Sequence, residues 1–345
     1  MTARFGWDIF CSVVDNYGDI GVCWRLARQL AGEHGMRVRL WVDDLASFAR
    51  INPGIDPALP AQSSRGVEVR HWLDPFPPSD LADGVADVVI EAFACHLPES
   101  WVVAMAAREP KPVWINLEYL SAENWVRGCH GLASPHPRLP LTKHFFFPGY
   151  FAGTGGLIAE SDLEARRDAF RRDAGAQAQL WSALGVPTPA AEEIRVSLFG
   201  YENRAMPELL AAWAESPAPV VCLVPEGRTA LQVSTCFVQE SSAVGTRLSR
   251  GSLEVRIVPF VEQDVFDRLL WACDCNFVRG EDSFVRSQWA ARWSQNGAHA
   301  SPAPLPRFQP SHIARRAAAA SGARPAQYRS RKAPSLCQWA SSCCG

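Results

Sequence analysis

The chain has 345 residues, 48% of them hydrophobic, which is enough for about two domains of ordinary size. No segment reaches the ~18 consecutive apolar residues of a membrane helix. Asp8 argues against a secretory signal, so a cytoplasmic protein is expected.

The charges are unevenly distributed along the chain. Eight of the 34 Lys and Arg, but none of the 36 Asp and Glu, lie in residues 292–345. The first 291 residues therefore carry 26 basic against 36 acidic side chains, a net charge of −10. An acidic body argues against a nucleic-acid partner and favours a basic protein partner.

The eleven cysteines are scattered, and no C-x-x-C pair occurs. Cys273 and Cys275 lie too close together for the usual zinc-ligand spacing. We interpret most cysteines as small buried hydrophobic residues. His96, His130 and His136 also lack metal spacing and are interpreted as ordinary hydrogen-bonding or surface residues, so no metal is expected.

The N-terminal half predicts alternating strands and helices. Apolar Trp7–Val14 indicates a buried strand, Gly18–Gly21 a tight turn, and Ile20–Glu33 an amphipathic helix. Four further β-rich runs follow, at Val38–Val42, Val67–Trp72, Val88–Ala92 and Val113–Leu117. This alternation is typical of a parallel sheet covered by helices, here assigned to a domain over residues 1–150.

A Pro-rich stretch, Ser134–Pro148, and a glycine cluster, Gly149–Gly156, predict the crossing to a second domain over residues 151–291. The second α/β series contains the following segments: a helix at Glu160–Leu184, a strand at Ile194–Leu198, a helix at Met206–Glu215, strands at Val220–Val224 and Leu253–Val258, a helix at Gln263–Ala272 and a strand near Asn276–Val278. The fold predicted from these patterns is α/β, with two Rossmann-like halves.

Residues 292–345 depart from this pattern. They are rich in Ala, Ser, Pro and Arg and poor in aliphatic residues, so we expect disorder. The abrupt change favours a translated frameshift or a wrong gene end. A functional basic tail and low complexity arising by chance are the alternatives.

The first candidate site is the stretch from Asp15 to Asp19, where the first strand meets its helix. Ligands of open α/β sheets bind at such strand ends. Two carboxylates on one short loop can divide their roles, one accepting a proton while the other holds a cation. A helix cap is the alternative for Asp19. Asn16, Tyr17 and Gly18 lie between the acids, and this is not a G-x-G-x-x-G nicotinamide fingerprint.

The second candidate site is the turn between the last strand and its helix. A helix start at Ser283 offers free amides to a phosphate, and Arg279 adds a permanent positive charge. Glu281 and Asp282 would repel a diphosphate unless they face sugar hydroxyls or an incoming cation. A capped, solvated turn is the alternative.

A third cluster, Phe260, Gln263 and Phe266, lies around a strand-to-helix turn. Two rings and an amide can sandwich and read a pyrimidine base. Core packing at a helix start is the alternative.

Long segments resemble the EarP family of protein-arginine rhamnosyltransferases, over about residues 5–291. They are WDIFCSVVDNYGDIGVCWRLARQL, WINLEYLSAENWV, HGLASPHPRLPLTKHFFFPGY, SLFGYEN and PFVEQDVFDRLLWACDCNFVRGEDSFVRSQWA. The resemblance implies a GT-B fold, in which two Rossmann-like domains face a central cleft. It also implies inverting transfer of rhamnose from dTDP-β-L-rhamnose to an arginine of translation elongation factor P, without a metal or cofactor.

The resemblance also implies roles for individual residues. Asp19 matches the general base and Asp15 its companion acid. Glu281 matches the acid that holds the acceptor or the sugar. Arg279, Asp282 and Ser283 lie in the segment that matches the family's diphosphate-binding segment. Phe260, Gln263 and Phe266 match its thymine pocket, and Tyr201 lies in the loop that borders the donor site.

The family pattern stops after about Ala291, where the family continues with further strands and helices. The second domain is therefore expected to be incomplete and the chain destabilised, which puts its activity in doubt. Two alternatives remain open from the sequence. One is another GT-B glycosyltransferase, and the other is a non-catalytic homologue that binds elongation factor P.

Overall fold

The computed structural model describes residues 5–14, 17–239 and 241–290, so the expectations for residues 292–345 lie outside the described part. The strands of the described residues are β1 (Gly6–Cys11), β2 (Arg37–Val42), β3 (Ala61–Ser64), β4 (Val67–His71), β5 (Val88–Ala92), β6 (Val113–Leu117), β7 (Ala133–Pro135), β8 (Thr142–Phe146), β9 (Ile194–Leu198), β10 (Val220–Pro225), β11 (Arg247–Arg250), β12 (Leu253–Val258) and β13 (Cys275–Phe277). The helices are α1 (Gly18–Gly32), α2 (Leu45–Ile51), α3 (Glu99–Ala107), α4 (Val126–Cys129), α5 (Leu163–Arg172), α6 (Ala174–Ala183), α7 (Met206–Ala214), α8 (Arg228–Cys236), α9 (Gln263–Ala272) and α10 (Glu281–Ala290), with a 3₁₀ helix at Pro78–Leu81.

The first sheet has the strand order β3-β4-β2-β1-β5-β6-β8-β7, and only its edge strands β3 and β7 pair antiparallel among the strands described. From β1 the chain builds outward through β2 and β4, then returns to β5 on the other side. The carboxyl ends of β1 and β5 therefore form a topological switch point, where open α/β sheets bind ligands.

The second sheet has the order β11-β12-β10-β9-β13, with β11 antiparallel at its edge. Here the chain builds from β9 through β10 to β12 and then places β13 on the other side of β9. A second switch point thus lies at the carboxyl ends of β9 and β13. Two such halves form the fold of GT-B glycosyltransferases, as predicted.

Both sheets are covered by helices on each face, which is why central strands such as β1, β5 and β10 are largely apolar. In β1, Trp7, Ile9 and Cys11 enter a core beneath α1, whereas Phe10 packs with Trp41 on the opposite face. Parallel strands buried on both faces read as continuous hydrophobic runs rather than alternating ones. The hydrophobic patterning therefore locates these strands correctly.

Two predictions about the middle of the chain are wrong. Glu160–Leu184 is two helices rather than one, because Asp173 leaves helical geometry (φ −96°, ψ 94°) and caps α6, accepting from the Ala176 amide at 2.9 Å. The Pro-rich stretch is not purely a crossing, because β7 and β8 within it complete the first sheet. None of the helices in the described residues has both the length and the apolar character needed to cross a membrane.

Candidate active site

A cavity of about 710 Å³, including its open mouth, lies where the two switch points face each other. Ten residues predicted from the sequence line it: Tyr17, Gly18, Tyr201, Phe260, Gln263, Phe266, Arg279, Glu281, Asp282 and Ser283. The loop of the first candidate cluster therefore meets the second and third clusters, which come much later in the chain, although Asp19 itself is not among the lining residues. Asp15 and Asn16 lie outside the described residues.

Asp19 is buried in the first turn of α1, with 3% of its surface exposed. One carboxylate oxygen accepts from the Val14 amide and the other from the Tyr119 hydroxyl, each at 3.1 Å. The N-cap position of α1 is Tyr17, so Asp19 is not the helix cap.

Glu281 begins α10 and approaches Asp19 from the other lobe. Its carboxylate accepts from the Leu120 amide at 2.9 Å, so consecutive residues of one loop contact Glu281 and Asp19. Burial, together with the charge of Asp19, raises the pKa of Glu281 to about 7. The site thus holds one carboxyl that changes charge near neutral pH beside another acid.

The turn before α10 presents positive potential to the cavity. Gly280 adopts φ +74°, a conformation that glycine adopts without strain, and α10 then starts with its free amides at the cavity wall. The guanidinium carbon of Arg279 lies 4.9 Å from the ring centre of Phe199 and 4.6 Å from that of Tyr201. Arg279 has no ion-pair partner among the described residues, so its charge is available to an anion.

Asp282 and Gln263 are engaged with α1 rather than directed only at the cavity. The Arg25 side chain donates from Nε to Asp282 Oδ1 at 2.7 Å. The amide nitrogen of Gln263 donates to the carbonyl of Gly21 at 2.8 Å and approaches Asp282 Oδ2 at 3.5 Å. These contacts join the two lobes beside the cavity.

The aromatic residues form two walls instead of one pair. Phe260 packs on Tyr17 of the first lobe with ring centres 4.7 Å apart. Phe266 meets Phe199 edge-on at 5.6 Å. Flat rings on two sides leave a slot suited to a planar base.

Sequence reasoning missed several residues of the site. Tyr119 contacts Asp19 and stacks on Phe93 with ring centres 4.5 Å apart, and Phe199 shares the aromatic wall. Phe199 follows β9 directly and Tyr119 is the second residue after β6, so the strand-end rule could have found them. Arg25 lies within α1, and no local signal marks it. The described residues contain no group of His, Cys, Asp and Glu that could hold a metal.

Comparison with known proteins identifies the family. The family described as elongation factor P (EF-P) rhamnosyltransferase EarP matches residues 7–294. The chain belongs to the EarP family. It is 54% identical over 287 residues to a protein-arginine rhamnosyltransferase of Pseudomonas putida, covering 83% of this chain and 74% of the relative. A protein-arginine rhamnosyltransferase of Pseudomonas aeruginosa is 52% identical over 286 residues, with the same two coverages.

A solved structure supports the same assignment. It is described as the structural basis for EarP-mediated arginine glycosylation of translation elongation factor EF-P. It matches with a TM-score of 0.55 at 38% identity, covering 83% of this chain and 71% of the other. The resemblance stated from the sequence motifs is therefore confirmed, and so is the two-lobed fold that it implied.

Proposed function

We propose that this EarP-family chain is an inverting glycosyltransferase that moves L-rhamnose from dTDP-β-L-rhamnose to an arginine of translation elongation factor P. The single observation that carries the proposal is the meeting of Asp19 and Glu281 from opposite lobes. One loop contacts both, and Glu281 lines a cavity whose lining also includes Arg279 and the first residues of α10. This arrangement suits a cationic acceptor on one side and an anionic leaving group on the other.

The acceptor side must make an unreactive group nucleophilic. A guanidinium delocalises its nitrogen lone pairs and holds its proton above pH 12. Carboxylates that accept hydrogen bonds from it localise charge on one nitrogen, and one of them takes the proton as the new bond forms. Asp19 is proposed as that base. Glu281 holds the guanidinium, and Asp15 is proposed as the companion acid.

The donor side must stabilise the departing diphosphate. The arginine nitrogen attacks C1 of rhamnose, and the C1–O bond breaks with its electron pair leaving on dTDP. A single displacement of this kind inverts the anomeric configuration. Arg279 and the amides of α10, with Ser283, are proposed to bind the diphosphate, while the aromatic slot holds thymine and Tyr201 borders the site. No metal or other cofactor is proposed.

The decisive experiment incubates the full chain with dTDP-β-L-rhamnose and purified elongation factor P and measures the intact mass of the acceptor. We expect an increase of one deoxyhexosyl group, and none with UDP- or GDP-sugars. Transfer from another nucleotide sugar would support a different GT-B glycosyltransferase. Binding of the acceptor without any mass change would support a non-catalytic homologue.

The raised pKa of Glu281 predicts the pH dependence. Below pH 7 the carboxyl is neutral and loses its attraction for a guanidinium, so kcat/KM should fall as the pH drops through about 7. Glu281→Gln should lower kcat/KM at neutral pH and remove this step. Initial rates at subsaturating acceptor between pH ~6 and ~8 test this prediction, because kcat/KM reports groups of the free enzyme. An unchanged step in Glu281→Gln would assign it to another group.

A further inference from the structure

A buried charge network joins α1 of the first lobe to α9 and α10 of the second. Arg25 donates to both oxygens of Asp267 at 3.0 and 3.1 Å and to Asp282 at 2.7 Å. Arg286 donates to the same Asp267 oxygens at 2.6 and 3.0 Å and to Glu160 at 2.7 Å. The Arg25 side chain is fully buried, so this network lies between the lobes and not on their surface.

The two arginines of the network hold the Glu160 carboxylate in its charged form. Burial alone would raise the pKa of Glu160, but Arg286 and Arg25 lower it to about 2. A buried ion network of this kind adds little stability over apolar packing, because desolvation offsets the attraction between the charges. Its benefit is directional, since a planar guanidinium fork holds its partners in one geometry.

The network joins the two helices that begin with the two proposed catalytic carboxylates. Arg25 lies six positions after Asp19 in α1, which is about 9 Å along the helix axis. Asp282 follows Glu281 directly in the first turn of α10. Arg25 therefore ties together the two helices whose N-terminal turns carry Asp19 and Glu281.

The contact also explains the acids of the phosphate-binding turn. Two carboxylates at the N-terminus of α10 would repel a diphosphate. Glu281 is directed to the Leu120 amide, and Asp282 is neutralised by Arg25. Both acids line the cavity but are tied to the first lobe, so the α10 amides and Arg279 keep their positive potential at the same cavity wall.

We propose that Arg25 is a positioning residue that neutralises Asp282, turns it away from the donor diphosphate and fixes the start of α10. This inference rests on the proposed function, because it takes the cavity to be the dTDP-sugar site. Loss of Arg25 would leave an uncompensated carboxylate next to the diphosphate. It would also let Glu281 shift relative to Asp19.

The test measures dTDP affinity by titration calorimetry for the wild type, Arg25→Met, Asp282→Asn and the double variant. Arg25→Met should weaken dTDP binding about tenfold, the order expected for one uncompensated charge in a partly screened site. Adding Asp282→Asn should restore the affinity to within about threefold of the wild type, because the repelling charge is gone. If Arg25→Met does not fold, Asp282→Asn alone serves as the test: it should bind dTDP at least as tightly as the wild type, and weaker binding would overturn the role given to Asp282.

Arg39→Met is the matched control. Arg39 forms a buried fork on Asp8, at 2.6 and 2.8 Å, on the face of the first sheet opposite α1. This variant should lose stability in the same way but bind dTDP as the wild type does.

The kinetics of the double variant test the second part of the role, the placement of Glu281. In rhamnosyl transfer, Arg25→Met/Asp282→Asn should keep the donor KM within about threefold. Its kcat should be lowered about 100-fold, the scale for a catalytic group displaced by about 1 Å.

The outcomes separate the two proposals. The role of Arg25 is overturned if Arg25→Met binds dTDP like the wild type. It is also overturned if Asp282→Asn does not restore the weakened binding. Either result leaves the proposed function intact. A wild-type chain that neither binds dTDP nor transfers rhamnose overturns the proposed function, and this inference with it.

Discussion

Asp19→Asn is expected to lower the turnover of rhamnosyl transfer by about 10²–10⁴-fold, the range for loss of a general base. Asparagine keeps an oxygen that can accept from the Val14 amide or the Tyr119 hydroxyl, so the helix start should persist. It cannot take the proton that the guanidinium nitrogen releases as it bonds to C1. The loss should therefore appear in kcat, with dTDP affinity changed little.

Asp44→Asn provides the control for this prediction. Asp44 caps α2 in the same lobe, accepting from the Ser47 amide at 2.9 Å, and asparagine caps helices about equally well. The same chemical change away from the cavity should leave transfer unaltered. Full turnover in Asp19→Asn, measured by acceptor mass at saturating donor, would show that the base lies elsewhere.

The fold is largely readable from the sequence because its parallel strands are short, apolar and separated by amphipathic helices. Val38–Val42, for example, is nearly identical to β2. Where the pattern failed, particular local residues were responsible. Asp173 interrupts an otherwise continuous helical pattern, and the β8 strand lies among prolines that argue for a loop.

The site was predictable to the extent that its residues follow strand ends. The loop after β1 and the turn before α10 could be placed by that rule, and the structure brings them to one cavity. The rule gives no partner for a side chain, so the sequence could not show how Asp282 avoids repelling a diphosphate. Asp282 is neutralised by Arg25, which lies 257 residues away in the chain.

The same long-range contacts explain why Arg25 and Asp267 escaped notice. Each lies within an amphipathic helix, where a charged residue usually indicates the solvated face. Their helices belong to different lobes and meet only after both sheets have formed. Pairings separated by 242 residues have no signature in local composition or spacing.

Asp267→Ala is expected to lower the free energy of unfolding by about 3–5 kcal/mol, the cost of removing one partner from a buried ion pair. Asp267 is 1% exposed and receives hydrogen bonds from both Arg25 and Arg286. Without it, two guanidinium groups remain between the lobes and share only the carboxylates of Glu160 and Asp282.

Urea unfolding followed by circular dichroism measures this loss, and Asp162→Ala supplies the comparison. Asp162 pairs with Arg166 at 3.0 Å, but its side chain is 62% exposed. Pairs of that kind contribute about 0.3–0.5 kcal/mol. Similar losses in the two variants would mean that water reaches the Asp267 network. The lobes would then be held together by their apolar contacts, and the ion network would not set their relative position.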